Sequence, residues 1–197
     1  MTQLYEALAG LLEYPGVDWR ARVQRCEELL AREHAGVPSE YDEFRSAVDG
    51  LSLAELQERY TQTFDLNPVC ALDVGYHLFG ENYKRGIFLA NLHETEAPFD
   101  LKQGGQLPDY LPVLLRLAVK LEDAELRTSL IVECLIPALN KMIEALKPGA
   151  NPYRGVIAAV NEALKAECPE WETASAFSAA AAAAGAPEFY RITSRGN

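Results

Sequence analysis

The chain has 197 residues, of which 49% are apolar and 24% charged, with 18 Lys and Arg against 29 Asp and Glu for a formal net charge of −11. That length fits one domain able to bury about 70% of its unfolded surface, and the composition is that of a globular rather than a disordered chain. So acidic a chain, with no visible cluster of cations, would repel a phosphate backbone or an anionic membrane and suits basic peptides better.

Alanine, leucine and glutamate dominate over valine, isoleucine and threonine, which favours helix. Leu4, Leu8, Leu11 and Leu12 share one face of a first helix that Tyr14-Pro15-Gly16 would stop. A second is expected over about 18–33, with Val23, Cys26 and Leu30 inward, and a short one after Ser39. Ser52-Leu53-Ala54-Glu55 is a capping-box pattern opening a helix with Leu53, Leu56, Tyr60 and Phe64 on one face, broken at Asn67-Pro68.

Helical spacing resumes from Leu72 to Leu92 through Tyr76, Phe79, Tyr83, Ile87 and Ala90, and 95–106 is expected to be a loop. Nearly every position from Tyr110 to Leu121 is apolar, so this helix belongs at the centre of a bundle. Pro108 and Asp109 suit its first turn, the carboxylate complementing the positive end of the helix dipole. Residues 126–146 form another long helix with a kink expected at Pro137, and Asn151-Pro152 starts a last one carrying Val156, Ile157, Val160 and Leu164 inward. The expected architecture is an all-α, single-domain bundle of six to seven or more helices over 1–168, followed by an alanine-rich tail, 169–197, loosely packed or disordered.

No stretch reaches the ~20 apolar residues that span a bilayer, and the first residues lack the features of a secretory signal. Cys26, Cys70, Cys134 and Cys168 form no C-x-x-C pair and read as thiols rather than disulfides. A cytoplasmic protein without integral membrane contact is expected. His34, His77 and His93 share no metal-ligand spacing with each other or with cysteine, and no phosphate-binding or nucleophile motif is present. Neither a metal site nor a catalytic residue is assigned. An enzyme using His77 with Asp65 or Glu81 is the minor alternative.

Two segments stand out. One runs from Tyr60 through Asp65 to Gly75–Gly86, where glycines interrupt helical spacing and so point to close backbone approach, either to another helix or to a ligand. The other is Gln106-Leu107-Pro108-Asp109-Tyr110-Leu111-Pro112. Together the blocks Y-x-x-T-F-D (Tyr60–Asp65), H-L-F-G-E-x-x-x-R-G (His77–Gly86) and L-P-D-Y-L-P (Leu107–Pro112) resemble the NarJ branch of the TorD/NarJ family, the nitrate reductase delta-subunit or molybdoenzyme assembly chaperones.

The resemblance implies an all-helical, non-catalytic cytoplasmic protein. It would bind the leader or N-terminal segment of a molybdenum oxidoreductase catalytic subunit and hold it for insertion of molybdopterin guanine dinucleotide, keeping no cofactor stably itself. By position, the implied client-binding residues are Tyr60, Asp65, His77, Arg85, Asp109 and Tyr110. The chain departs from the family pattern at Tyr76, Gln106 and the stretch Gly80–Gly86, which leaves the client open among nitrate, chlorate, selenate, dimethyl sulfide and ethylbenzene enzymes. The alternative to a chaperone is a non-catalytic helical adaptor for another basic, apolar peptide.

Overall fold

The structure is a computed structural model that describes residues 2–33, 39–66, 70–101, 104–147, 151–169 and 171. The described residues are all-α, with no strand among them and one isolated antiparallel bridge, Asp73 with Tyr110. They cluster into two compact units, one of residues 1–72 and 139–163, the other of 73–138 with the described residues from 164 on. The expected break at Asn67-Pro68, the residue preceding Ser39 and nearly all of the alanine-rich tail lie outside the described residues.

In the first unit, helices α1 (Thr2–Leu11) and α2 (Trp19–Glu33) form where the apolar spacing predicts them. Leu4, Tyr5 and Leu8 are buried from α1, and Val23, Cys26, Leu29 and Leu30 from α2. Helix α3 (Ser39–Asp49) is held to α2 by the Tyr41 hydroxyl, which donates to the Val23 carbonyl at 2.8 Å. Helix α4 (Leu53–Tyr60) opens with the expected capping box: Ser52 and Glu55 satisfy each other's backbone amides. It runs on as a π-helical turn, Thr61–Asp65.

The core of this unit is aromatic. Tyr153 packs against Phe44, Tyr60 and Phe64 with ring centroids 4.9–5.8 Å apart in tilted or edge arrangements. Gly155 lets the last helix, α10 (Tyr153–Glu167), lie against α3, because a Cβ there would run into the Glu40 carbonyl and sit 3.0 Å from Phe44 Cβ. Asn151 starts α10 by accepting from the Tyr153 amide at 3.0 Å.

In the second unit, the single helix expected over 72–92 is two: α5 (Val74–Phe79) and α6 (Tyr83–Glu96). Gly80 adopts φ +61°, a left-handed conformation that ends α5, and Asn82 caps α6 by accepting from the Lys84 amide at 3.0 Å. The break rotates the second half of the spacing. Tyr83 and Ile87, on the expected helical spacing, are 75% and 43% exposed, and Phe88, Leu92 and Glu96 are buried. Helix α6 also extends two residues into the segment expected to be a loop.

Helix α7 (Leu111–Lys120) is buried on nearly every side, as its composition requires. It begins after Pro108 and Asp109, and Pro112 takes the first-turn position instead. Helix α8 (Ala124–Ser129), capped by Asp123, leads through a π-helical stretch, Leu130–Leu135, into α9 (Ile136–Ala145). Where a kink is expected at Pro137, the helical path runs through this π-helical stretch. A proline cannot donate to the carbonyl four residues back, and immediately before it the Ile136 amide bonds five residues back, to Ile131.

Candidate functional site: a buried ion pair between α5, α6 and α7

The start of α5 and the approach to α7 are stitched together by backbone. Val74 N donates to the Asp109 carbonyl at 2.8 Å, beside the Asp73–Tyr110 bridge. This brings Asp109, itself fully buried, under the first turn of α5. From α6, where the Asn82 cap sets the first turn, Arg85 reaches back and its Nε donates to Asp109 Oδ2 at 3.0 Å. The Arg85 Nη2 lies 3.7 Å from Asp73 Oδ1, longer than a hydrogen bond but within ion-pair range.

Gly75 makes this possible. A Cβ at that position would sit 2.6 Å from Asp109 Oδ2, 3.0 Å from Phe88 Cδ1 and 3.2 Å from Arg85 Cγ. The close backbone approach that the glycines of this segment suggest is therefore real at Gly75, and its partner is the ion pair of the same unit.

One guanidinium thus serves two carboxylates. Asp109 Oδ1 and Arg85 Nη2 are buried and have no hydrogen-bond partner among the described residues. Burial, and then the negative charge of Asp109, push the Asp73 carboxyl above the ordinary aspartate range, with Arg85 opposing them in part. The Arg85 guanidinium also lies 6.0 Å from the Tyr76 ring, at the outer limit of a cation–π contact.

Of the residues singled out by sequence, Arg85 and Asp109 meet directly. His77, half-buried on α5 with its ring edge-on to Tyr76 at 5.9 Å, and Tyr110, half-buried and preceding α7, flank them. Tyr60 and Asp65 belong to the first unit. Tyr60 is buried, its hydroxyl donating to the Leu12 carbonyl at 3.0 Å, and Asp65 is exposed at the end of the π-helical turn. Asp73 escapes the sequence reading because a continuous helix from Leu72 would make it an interior residue. An aspartate immediately before Val74 is nonetheless an N-cap signal in its own right.

Among the described residues there is no group of three or more His, Cys, Asp or Glu side chains placed to hold a metal ion, and no helix long and apolar enough to cross a membrane.

No family model matches the chain. Over 163 residues it is 28% identical to the Bacillus subtilis (strain 168) protein named "Probable nitrate reductase molybdenum cofactor assembly chaperone NarJ", covering 82% of this chain and 88% of that one. The similarity to that NarJ protein runs along most of both chains. It is also 30% identical over 164 residues to the nitrate reductase-like protein NarX of Mycobacterium tuberculosis, in two strains, covering 80% of this chain but only 24% of NarX. The NarJ-like match therefore spans most of both chains, whereas the NarX match is to a small part of a longer protein.

Proposed function

We propose that this chain is a non-catalytic assembly chaperone for the catalytic subunit of nitrate reductase or a related molybdenum oxidoreductase. It binds the leader or N-terminal segment of that subunit in the cytoplasm. There it holds the subunit for insertion of molybdopterin guanine dinucleotide, before export or membrane docking. The observation that carries this reading is the similarity to a named NarJ chaperone over 82% of the chain.

The chemistry of the chain agrees with such a client. A net charge of −11 favours encounter with a basic segment, and charge at an interface sets association rate and orientation more than affinity. The client contacts assigned here are Asp65, His77, Arg85 and Tyr110, all exposed or partly exposed. Asp109 and Tyr60, both buried, are positioning residues: Asp109 orients Arg85, and Tyr60 anchors the helix that ends at Asp65.

The deciding experiment is affinity capture of the tagged chain from its native host, with mass spectrometry of what remains bound. Recovery of an immature, cofactor-poor molybdenum oxidoreductase subunit is expected. Repeated recovery of an unrelated partner in its place would refute the chaperone reading and favour an adaptor. Asp65→Asn is expected to slow association in a salt-dependent way without altering the fold. Unchanged rates at low salt would remove Asp65 from the contact surface.

A further inference from the structure

The outward face of α6 is unusual. Tyr83, Gly86, Ile87 and Ala90 follow the spacing i, i+3, i+4, i+7, and all four are exposed, Tyr83 at 75% and Ile87 at 43%. They form one apolar stripe where an exposed helix face ordinarily carries charged and polar side chains. Two exposed carboxylates bracket the stripe, Glu81 before the helix and Glu94 one turn beyond Ala90.

Gly86 sharpens the point. A glycine inside a helix costs roughly 0.5–1 kcal/mol relative to alanine. At Gly75 and Gly155 the chain itself accounts for that cost, because a Cβ would strike neighbouring atoms. At Gly86 a Cβ would meet nothing within 4 Å, and the backbone φ is not positive. Nothing within the described chain requires a glycine there. Gly86 and Ala90, four residues apart, leave a shallow strip along which a second helix can approach closely, with Tyr83 and Ile87 as knobs beside it.

We infer that this face of α6 is the seat of the client's N-terminal segment, bound as an amphipathic helix whose apolar side lies along Tyr83–Ala90 and whose basic residues face Glu81 and Glu94. The inference rests on the chaperone reading above and adds to its client contacts an apolar seat on the exposed face of α6, the helix that carries Arg85. Charge selects the occupant. A second copy of this chain would bring its own Glu81 and Glu94 and its own net charge of −11 to the same face, whereas a basic leader meets complementary carboxylates. Helix-in-groove recognition uses anchors at this i, i+3, i+4, i+7 spacing.

The test uses the full chain and a synthetic peptide of the N-terminal segment of the catalytic subunit recovered with it from the host. Gly86→Leu and Ile87→Gln are expected to keep the wild-type far-UV circular dichroism, Gly86→Leu with a thermal midpoint at or above the wild type, yet bind the peptide at least about tenfold more weakly, the loss expected for central interface positions. A photo-crosslinking residue at Tyr83 is expected to capture the peptide. Wild-type affinity in both variants, with the unmodified chain binding the peptide, would overturn the α6 assignment and leave the chaperone reading intact. Capture by the residue-83 probe of a second copy, or of this chain's own residues 172–197, in preference to the peptide would overturn it too. Recovery of no molybdenum subunit by the unmodified chain would overturn both.

Discussion

Three glycines in helices, replaced one at a time by alanine, probe this packing from three directions. Gly86→Ala places a methyl group where nothing lies within 4 Å, so only the backbone effect remains, a gain of about 0.4–1 kcal/mol. Gly75→Ala places it 2.6 Å from Asp109 Oδ2 and 3.0 Å from Phe88. Both obstacles are side chains that can shift, but shifting Asp109 loosens a charge-assisted bond worth about 1.5–3 kcal/mol. With the small helix gain in the first turn of α5 set against it, a net loss of about 2 kcal/mol is expected. Gly155→Ala meets the backbone carbonyl of Glu40, which cannot rotate away, so α10 must lift from α3 and the loss should be the largest, about 3 kcal/mol or more. Urea unfolding followed by circular dichroism reads all three as midpoint shifts at constant m-value. A destabilising Gly86→Ala, or a Gly155→Ala that unfolds with the wild type, would refute the reasoning.

Burial and Asp109 raise the Asp73 carboxyl, so the folded chain holds that proton more tightly than the unfolded chain. Its contribution therefore favours folding at low pH and is lost as pH rises through the raised folded value. Asp73→Asn should consequently match or exceed the wild-type thermal midpoint at neutral pH, the advantage shrinking toward acid; a variant less stable at pH 7 than at pH 4, relative to wild type, would reverse the sign. Leu114→Ala, at a fully buried position of α7, should cost about 2–5 kcal/mol by urea unfolding, and an unmoved midpoint would contradict the burial of α7. Burial pushes the Cys26 and Cys70 thiols up to about 12, and Cys134 is buried as well, whereas Cys168 is partly exposed. A thiol reagent should therefore modify Cys168 first and the other three only as the chain unfolds, which mass spectrometry of the native protein over time would check.

The helices that the sequence declares most clearly are those whose apolar stripe faces the core without interruption. Leu4-Leu8-Leu11, Val23-Cys26-Leu30 and Val156-Ile157-Val160-Leu164 are all buried as spaced, and the Ser52–Glu55 capping box forms as its residue types require. The reading fails at Gly80. A lone glycine inside a helical pattern is tolerable, and Tyr76, Phe79, Tyr83, Ile87 and Ala90 imitate a buried stripe over fifteen residues. Only the left-handed backbone at Gly80 and the Asn82 cap reveal that the stripe is broken and its second half points outward. The same break leaves the second half of that spacing, Tyr83, Ile87 and Ala90, on the exposed face of α6.

The ion pair was harder to see in sequence for a different reason. Arg85 and Asp109 are 24 residues apart, and no local rule says that the chain returns to the start of α5 before entering α7. Asp109 instead looks like a helix-dipole partner because it precedes an apolar run, a role that needs α7 to begin two residues earlier than it does. What decides its role is burial: a fully buried carboxylate bonded to a guanidinium cannot meet a client without displacing that guanidinium. On the chaperone proposal, an effect of Asp109 on client binding would pass through where it holds Arg85, whose side chain is 20% exposed. A substitution at Asp109 therefore tests position and stability together, and Asp65, exposed and distant in sequence from the pair, isolates charge alone.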